Sequence, residues 1–364
     1  MIILKTKKFN VPGNDTCTFD MQKKPSPIIT ANGGLNGSGT GQHNLFMSKP
    51  IKELIMNKPE YHVPLMSEIK NIKWNGKKVI SFFAGCGGSS TGYKMAGYKV
   101  VWANEFVKEA YECYKANAPD TIMDTRDIRL IQPSEILKAI NLKKGELDIM
   151  DGSPPCQSFS TAGKREKGWG TEIHHADGSK QISDDLFFEY CRILKGIQPK
   201  IFVAENVSGL IKGTAKGYFL IILKALKECG YNVKCQLLDA QWLGVPQQRQ
   251  RVIFIGTRND LKIEPVFPKP FKYFYTVYEA MMGKPHIIGW KNEEFGVVAG
   301  NDTSDIVTDG TFTRKFTIAE LKRICAFPDD FILTGSYNQQ WARLGNSVPP
   351  LMMKQISTEL LKIL

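Results

Sequence analysis

Four segments of this 364-residue chain carry residue types that could do chemistry at their spacing. Gly152-Ser153-Pro154-Pro155-Cys156-Gln157 follows the short apolar run Leu147–Met150. Two prolines stiffen the backbone and fix where the next side chain points. A thiol in such a turn, at a strand's carboxyl end, is a candidate nucleophile if dipoles or cations favour its thiolate. The plainer reading is a buried structural cysteine. A papain-like protease does not fit, because only His174, His175 and His286 lie downstream and no Cys-Gly-Ser-Cys-Trp-type segment exists.

The second segment, Phe83-Ala84-Gly85-Cys86-Gly87-Gly88, follows the run Val79–Phe83 and precedes a helical stretch. Its glycines let a ligand approach the backbone at a helix N-terminus. It has neither the G-x-G-x-x-G dinucleotide form nor a P-loop lysine. Glu105 comes about 20 residues on, after the next run, where an acid suits a ribose diol. A tight turn with a solvated acid remains the alternative. The third segment, Glu205-Asn206-Val207, ends another run. A glutamate at a buried strand terminus is costly unless it has a partner or a role. The fourth, Gln248-Arg249-Gln250-Arg251, enters a strand. Period-two alternation puts Arg249 and Arg251 on one face. Two guanidiniums there could hold a phosphate or a base oxygen, or form a salt bridge at the sheet's edge.

The elements that must position these residues follow an alternating pattern. Val79–Phe83, Val100–Ala103, Leu147–Met150, Ile201–Ala204 and Val252–Gly256 are apolar runs of four or five residues. Such runs suit strands buried on both faces. Between them, Leu186, Tyr190, Ile193 and Leu194 share a helical face, as do Phe219, Ile222, Leu223 and Leu226, with Gly230 as a stop. Strands alternating with helices imply an α/β fold, a doubly wound and mostly parallel sheet. Ligands of such sheets sit beyond the strands' carboxyl ends.

Residues 258–312 break the rhythm with four prolines and an aromatic cluster from Phe267 to Trp290. They read as a small insert. Helical character returns at Ile318–Ala326 and after Pro350, where Met353, Ile356, Leu360 and Ile363 share a face. Residues 1–76 read as an extension, with a glycine- and asparagine-rich stretch at Ala31–Asn44 and no periodic apolar pattern. Its role is either a solvated tail or an arm adding phosphate contacts.

Apolar residues at 42% and charged residues at 23% are ordinary globular values. The net charge is +12, and twelve lysines against five acids place +7 of it in residues 1–78. This balance admits nucleic acid as a partner. No apolar run approaches the roughly 20 residues of a membrane span. The eight scattered cysteines form no C-x-x-C pair, so the expectation is a reducing, cytoplasmic setting without a metal site. His174 and His175 are read as solvated loop residues.

In order and spacing, these motifs resemble the DNA cytosine-5 methyltransferase family, and Gly345-Asn346-Ser347-Val348-Pro349-Pro350 extends the match across roughly residues 77–364. The resemblance implies a Rossmann-like class I methyltransferase fold. It divides the chain into the extension 1–76, a catalytic and cofactor domain 77–257, a target-recognition region 258–312 and a return 313–364. S-adenosylmethionine is the implied cofactor. It would lie across Phe83, Ala84, Gly85 and Gly87, with Glu105 on the ribose and Phe106 stacked on adenine. Asp127 and Ile128 would meet the adenine edge. Pro155 and Leu186 would line the pocket, and Asn346, Ser347 and Val348 would close it. Cys156 would be the nucleophile, with Glu205 and Arg251 gripping a flipped base and Arg249 nearby. A loop over Ser158–Asp184, including Lys164 and Arg165 after Gln157 and Ser158, would close over the nucleotide.

The implied partner is double-stranded DNA, for a monomeric bacterial or phage enzyme that either works beside a cognate restriction endonuclease or has a solitary anti-restriction role. A transfer-RNA methyltransferase on the same scaffold is the first alternative, but its Cys-Phe-Thr segment is absent from 258–312. A catalytically weak DNA-binding relative is the second. Three departures from the family stand out. Ser81 occupies a position where many relatives have aspartate, the extension 1–76 has no counterpart in the minimal enzymes, and, with Thr276–Met281 resembling a helix of the conserved core, the recognition region leaves only about thirty residues for reading bases.

Overall fold

The computed structural model describes residues 58–155, 186–211, 215–281 and 313–364. It also describes the backbone of short strands at 7–11, 15–19, 173–174, 180–181, 298–299 and 306–308. Seven strands form the central sheet: β1 (Lys78–Phe82), β2 (Lys99–Asn104), β3 (Ile122–Asp124), β4 (Ile149–Gly152), β5 (Ile201–Val207), β6 (Tyr231–Asp239) and β7 (Gln250–Arg258). Their spatial order is β6-β7-β5-β4-β1-β2-β3. The pairs from β3 through β5 are all parallel. Strand β7 runs antiparallel to both neighbours. The connection from β6 to β7 carries no crossover helix, so β7 folds straight back beside β6.

This is the expected mostly parallel, doubly wound sheet, with two strands that the apolar runs did not reveal. β6 buries Tyr231, Val233, Cys235 and Leu237 while Lys234 is exposed. That is the alternation of an outer strand, with no continuous run to find. β3 is three residues long with Ile122 exposed, a short edge of the kind that discourages unwanted pairing.

Alternation along the inner strands sorts their side chains between two cores. Val79, Ile149, Ile201, Val203, Ile253 and Ile255 enter one cluster. Tyr93 of helix α1 (Gly88–Met95), Leu321 and Ile324 of α7 (Ile318–Ile324), and Met353, Ile356 and Leu360 of α9 (Pro350–Leu361) join them. Ile80, Phe82, Trp102, Met150, Phe202, Ala204, Val252 and Phe254 enter the other cluster. There they meet α4 (Leu186–Ile197) and α5 (Ala215–Lys227). The remaining helices are α2 (Lys108–Asn117), α3 (Pro133–Ala139), α6 (Val277–Met281) and α8 (Tyr337–Asn346).

Residues 58–76, grouped with the extension in the sequence, pack as part of the body. Met66 and Ile69 are buried in the first core, and Tyr61 and Val63 pack against it. Lys58 pairs with Glu279, and the Met66 N–H donates to Asp330 Oδ1 at 2.6 Å. Only one helical turn, Met66–Ile69, forms here, so no periodic signal marked the segment. Residues 276–281, within the stretch 258–312 read as an insert, likewise belong to the core: α6 buries Val277, Ala280 and Met281.

Candidate active site

The carboxyl ends of β1, β2, β3, β4 and β5 all open on one edge of the sheet. Because β7 is antiparallel, its amino end, with Arg251, reaches the same edge. Every described residue singled out as a site candidate sits on or beside this edge.

The loop after β1 is held against β2 and the C-terminal segment. The Ala84 N–H donates to Asn104 O at 3.0 Å. Gly87 caps α1 with φ 97°, a left-handed conformation that side-chain-bearing residues avoid. At Gly88 a Cβ would lie 2.4 Å from Val348 O, so a side chain here would push the C-terminal segment away. Closure of the loop by Ser347 and Val348 is therefore a backbone contact. It is reinforced by Cys86 Sγ, 3.1 Å from Ser347 Oγ, and by the Ser347 hydroxyl, which donates to Arg343 O at 2.6 Å. Asn346 is exposed beside them.

Glu105 is buried at the end of β2, and burial raises its pKa above the ordinary carboxylate value. The Gly85 N–H donates to its Oε2 and the Val107 N–H to its Oε1, both at 2.8 Å. The carboxylate thereby ties the glycine loop to β2. Each oxygen has further acceptor capacity for a diol. Phe106, the next residue, is 43% exposed, an apolar ring presented to solvent. Asp127 caps a short turn by accepting from the Arg129 N–H at 2.9 Å, and Ile128 behind it is buried. Ile128 and Leu186 share one apolar cluster, and Phe83 packs against it. Space above Gly85 is open. A buried acceptor, an exposed ring, an apolar wall and an open glycine cradle fit the adenosine portion of S-adenosylmethionine.

A cavity of about 290 Å³ lies instead beside β3 and α3, lined by Trp102, Asp124, Arg126 and Glu135 among others. It includes none of the implied cofactor residues.

The second half of the edge holds an acid and a base. Glu205 and Arg251 form an ion pair, Nε to Oε1 at 2.7 Å, with side chains only 9% and 14% exposed. Arg249 is buried, and one of its guanidinium nitrogens donates to Ser347 O at 2.9 Å. Burial, then the charge of Arg251, pulls its pKa below the ordinary value. Arg249 thus serves the C-terminal closure, whereas Arg251 faces Glu205. Pro154 is buried and Pro155 half-buried. Cys156, Gln157, Ser158, Lys164 and Arg165 lie outside the described residues, as does most of the Ser158–Asp184 loop. Among the described cysteines, Cys86 and Cys325 are pushed up by burial, to about 12 and about 11, so both stay thiols at neutral pH. No group of His, Cys, Asp and Glu that could hold a metal occurs among the described residues.

Four supporting residues had little or no sequence signal. The Asn206 amide donates to Pro154 O at 3.1 Å, fixing the root of the Cys156 turn. Asn206 stood in a motif, but nothing in the sequence gave it a role. Arg192 of α4 donates to Ile128 O at 2.8 Å and Ile131 O at 3.0 Å, holding the adenine-edge segment. Arg343 of α8 places a buried Nε with no partner among the described residues, and its charge acts on Glu105 and Cys86. Asp151 of β4 is buried among hydroxyls.

The family model for C-5 cytosine-specific DNA methylase matches residues 77–283 and 283–362. Type II methyltransferase M.NgoPII of Neisseria gonorrhoeae is 30% identical over 349 residues, covering 80% of this chain and 97% of that protein. Type II methyltransferase M1.HphI of Haemophilus parahaemolyticus is 30% identical over 334 residues, covering 78% and 86%. A DNMT2 mutant from Spodoptera frugiperda has a similar fold, with TM-score 0.58 at 22% identity, covering 79% of this chain and 99% of that one. With a family match across both halves of the sheet and its C-terminal return, the chain belongs to the C-5 cytosine-specific DNA methylases, enzymes that methylate DNA cytosine at carbon 5 from S-adenosylmethionine.

Proposed function

We propose that methyl transfer runs through a covalent Cys156 adduct on a cytosine flipped out of duplex DNA. Carbon 5 of cytosine is a poor nucleophile. Addition of the Cys156 thiolate to carbon 6 makes carbon 5 enamine-like. Glu205, once it has taken up a proton from solvent, donates it or a hydrogen bond at ring N3, and Arg251 binds the O2 oxygen, so charge developing on the ring is neutralised. When bound, S-adenosylmethionine supplies the electrophilic methyl. Loss of the carbon 5 proton then expels Cys156. Glu105, Phe106, Asp127 and Ile128 orient the adenosine end, with Phe83, Pro155 and Leu186 as apolar walls. Asn346, Ser347 and Val348 cover it.

The observation that carries this reading is the meeting of the Glu205–Arg251 pair with the Asn206-anchored Pro154 turn. The carboxyl group, the guanidinium and the root of the nucleophile's turn share one sheet edge. The finer setting is also proposed: a monomer with residues 258–312, apart from the core helix α6, as its recognition region, Lys164 and Arg165 on a closing loop, and a cognate restriction endonuclease.

A duplex carrying 5-fluorocytosine tests the mechanism. After methyl transfer the fluorine cannot leave as a proton does, so the adduct should accumulate as a denaturation-stable complex. The complex is expected only with cofactor and Cys156 present. Equal trapping by Cys156→Ala would overturn the assignment.

A further inference from the structure

The mechanism above gives several buried ionisable groups no task, and Asp151 is the one nearest the nucleophile's turn. Asp151 lies on β4, one residue before Gly152 and the turn to Cys156, and is 2% exposed. Three hydroxyls from two other elements converge on it. Ser81 Oγ of β1 donates to Oδ2 at 2.9 Å, Ser89 Oγ of α1 to Oδ2 at 2.7 Å, and Tyr93 OH of α1 to Oδ1 at 3.4 Å. Ser81 and Asp151 are direct partners in the parallel register of β1 and β4.

The two ends of this network lead to the two halves of the reaction. β1 and α1 flank the glycine loop, and Gly88 at the start of α1 abuts Val348 of the cofactor closure. β4 continues into Pro154, which Asn206 holds. A shift of α1 relative to β4 would move one reactant's cradle against the other's nucleophile.

We propose that Asp151 is a positioning residue that locks the cofactor loop to the nucleophile turn by accepting hydroxyls from β1 and α1. The inference rests on the proposed function, because it needs Cys156 and the cofactor to react across that edge. An asparagine keeps one acceptor oxygen and presents an amide donor in place of the other, so it cannot accept from all three hydroxyls as the carboxylate does. Bonds to a charged acceptor are also the stronger ones. The groups facing the carboxylate are Ser81, Ser89, Tyr93, Tyr114 of α2, Tyr190 of α4 and Glu205 of β5. Burial raises its pKa to about 6, and the Glu205 charge adds to the rise. It is therefore mostly ionised, and a full acceptor, at pH 7.5.

The test uses the full chain and three proteins: wild type, Asp151→Asn, and the exchange Ser81→Asp with Asp151→Ser. The exchange returns a carboxylate to the cluster from the opposite strand, which the register permits. S-adenosylhomocysteine affinity is measured by calorimetry, single-turnover methylation by quench-flow, and folding by circular dichroism. Asp151→Asn should lower the single-turnover rate about tenfold or more, the size of one hydrogen bond to a charged group. It should also weaken S-adenosylhomocysteine binding several-fold, and the exchange should recover most of both. The wild-type rate should fall below about pH 6, and that limb should vanish in Asp151→Asn. Rates and affinities within about twofold of wild type at pH 7.5 would overturn the proposal. So would an exchange variant that melts like wild type yet reacts like Asp151→Asn. Wild type that binds S-adenosylhomocysteine but methylates nothing would count against the proposed function, and the affinity comparison would still decide the role of Asp151.

Discussion

Replacing Asn206 by alanine isolates the link between strand β5 and the nucleophile's turn. The Asn206 side chain makes two hydrogen bonds: its amide donates to Pro154 O at 3.1 Å and its Oδ1 accepts from the Val207 N–H at 2.9 Å. Asn206 is 3% exposed, so the Pro154 carbonyl would be left unsatisfied in a buried site. That loss costs about 1–3 kcal/mol of stability. Cys156 lies only two residues beyond Pro154. A displacement of about 1 Å at a reacting group can lower a rate about 100-fold. Pro155 aside, the cofactor cradle is built from β1, β2, the start of α4 and the C-terminal segment, which this bond does not hold. The expectation is a single-turnover rate reduced about 10- to 100-fold with S-adenosylhomocysteine affinity within about twofold of wild type. A rate unchanged beside a measured loss of stability would refute the positioning role. Equal losses in rate and affinity would show that the bond supports the whole edge and not the turn.

Three further outcomes follow from the same geometry. The Glu205–Arg251 pair is largely buried, so Arg251→Met alone should destabilise by about 3–5 kcal/mol. Adding Glu205→Gln should restore most of that stability but no activity; a double variant as unstable as the single one in urea unfolding would contradict this. Asp151 rises from an ordinary value of about 3.9 to about 6, so the fold disfavours its ionised form. Its stabilising, protonated contribution is complete below about pH 4 and is lost as pH rises through 6. Wild type should gain up to about 3 kcal/mol relative to Asp151→Asn between pH 7.5 and pH 4, and a pH-independent difference would contradict the burial argument. Deleting residues 1–57 removes seven lysines and three acids. It should leave cofactor binding intact and flatten the salt dependence of DNA binding, with an unchanged slope showing that the arm makes no phosphate contacts. Extending the deletion to 76 should destabilise the fold, since Met66 and Ile69 bury side chains worth about 1.5–3 kcal/mol each.

The parts of this molecule legible in its sequence were those that one local pattern determines. β1, β4, β5 and β7 showed as apolar runs because both faces are covered. Glu105, Glu205 and the glycine loop showed because such residues are unusual at strand ends. Edge strands β3 and β6 did not, being short or half-exposed. Residues 58–76 gave no signal, because they are fixed by contacts with Glu279, Asp330 and Arg323, more than 200 residues away. Asp151 looked like an ordinary strand residue until its register partner Ser81 and the hydroxyls of α1 came beside it. Long-range partners of this kind cannot be read from spacing. Arg249 shows a related case: it stood out in the sequence beside Arg251, but only the fold gave it Ser347 as partner.

The central claim is methyl transfer to DNA cytosine through Cys156. Its most direct test incubates the protein with tritiated S-adenosylmethionine and either mixed-sequence duplex DNA or total transfer RNA, alongside Cys156→Ala. Tritium should appear in DNA, at carbon 5 of cytosine, and disappear in the variant. Label confined to RNA, no label in either, or DNA label that survives loss of the thiol would contradict the account.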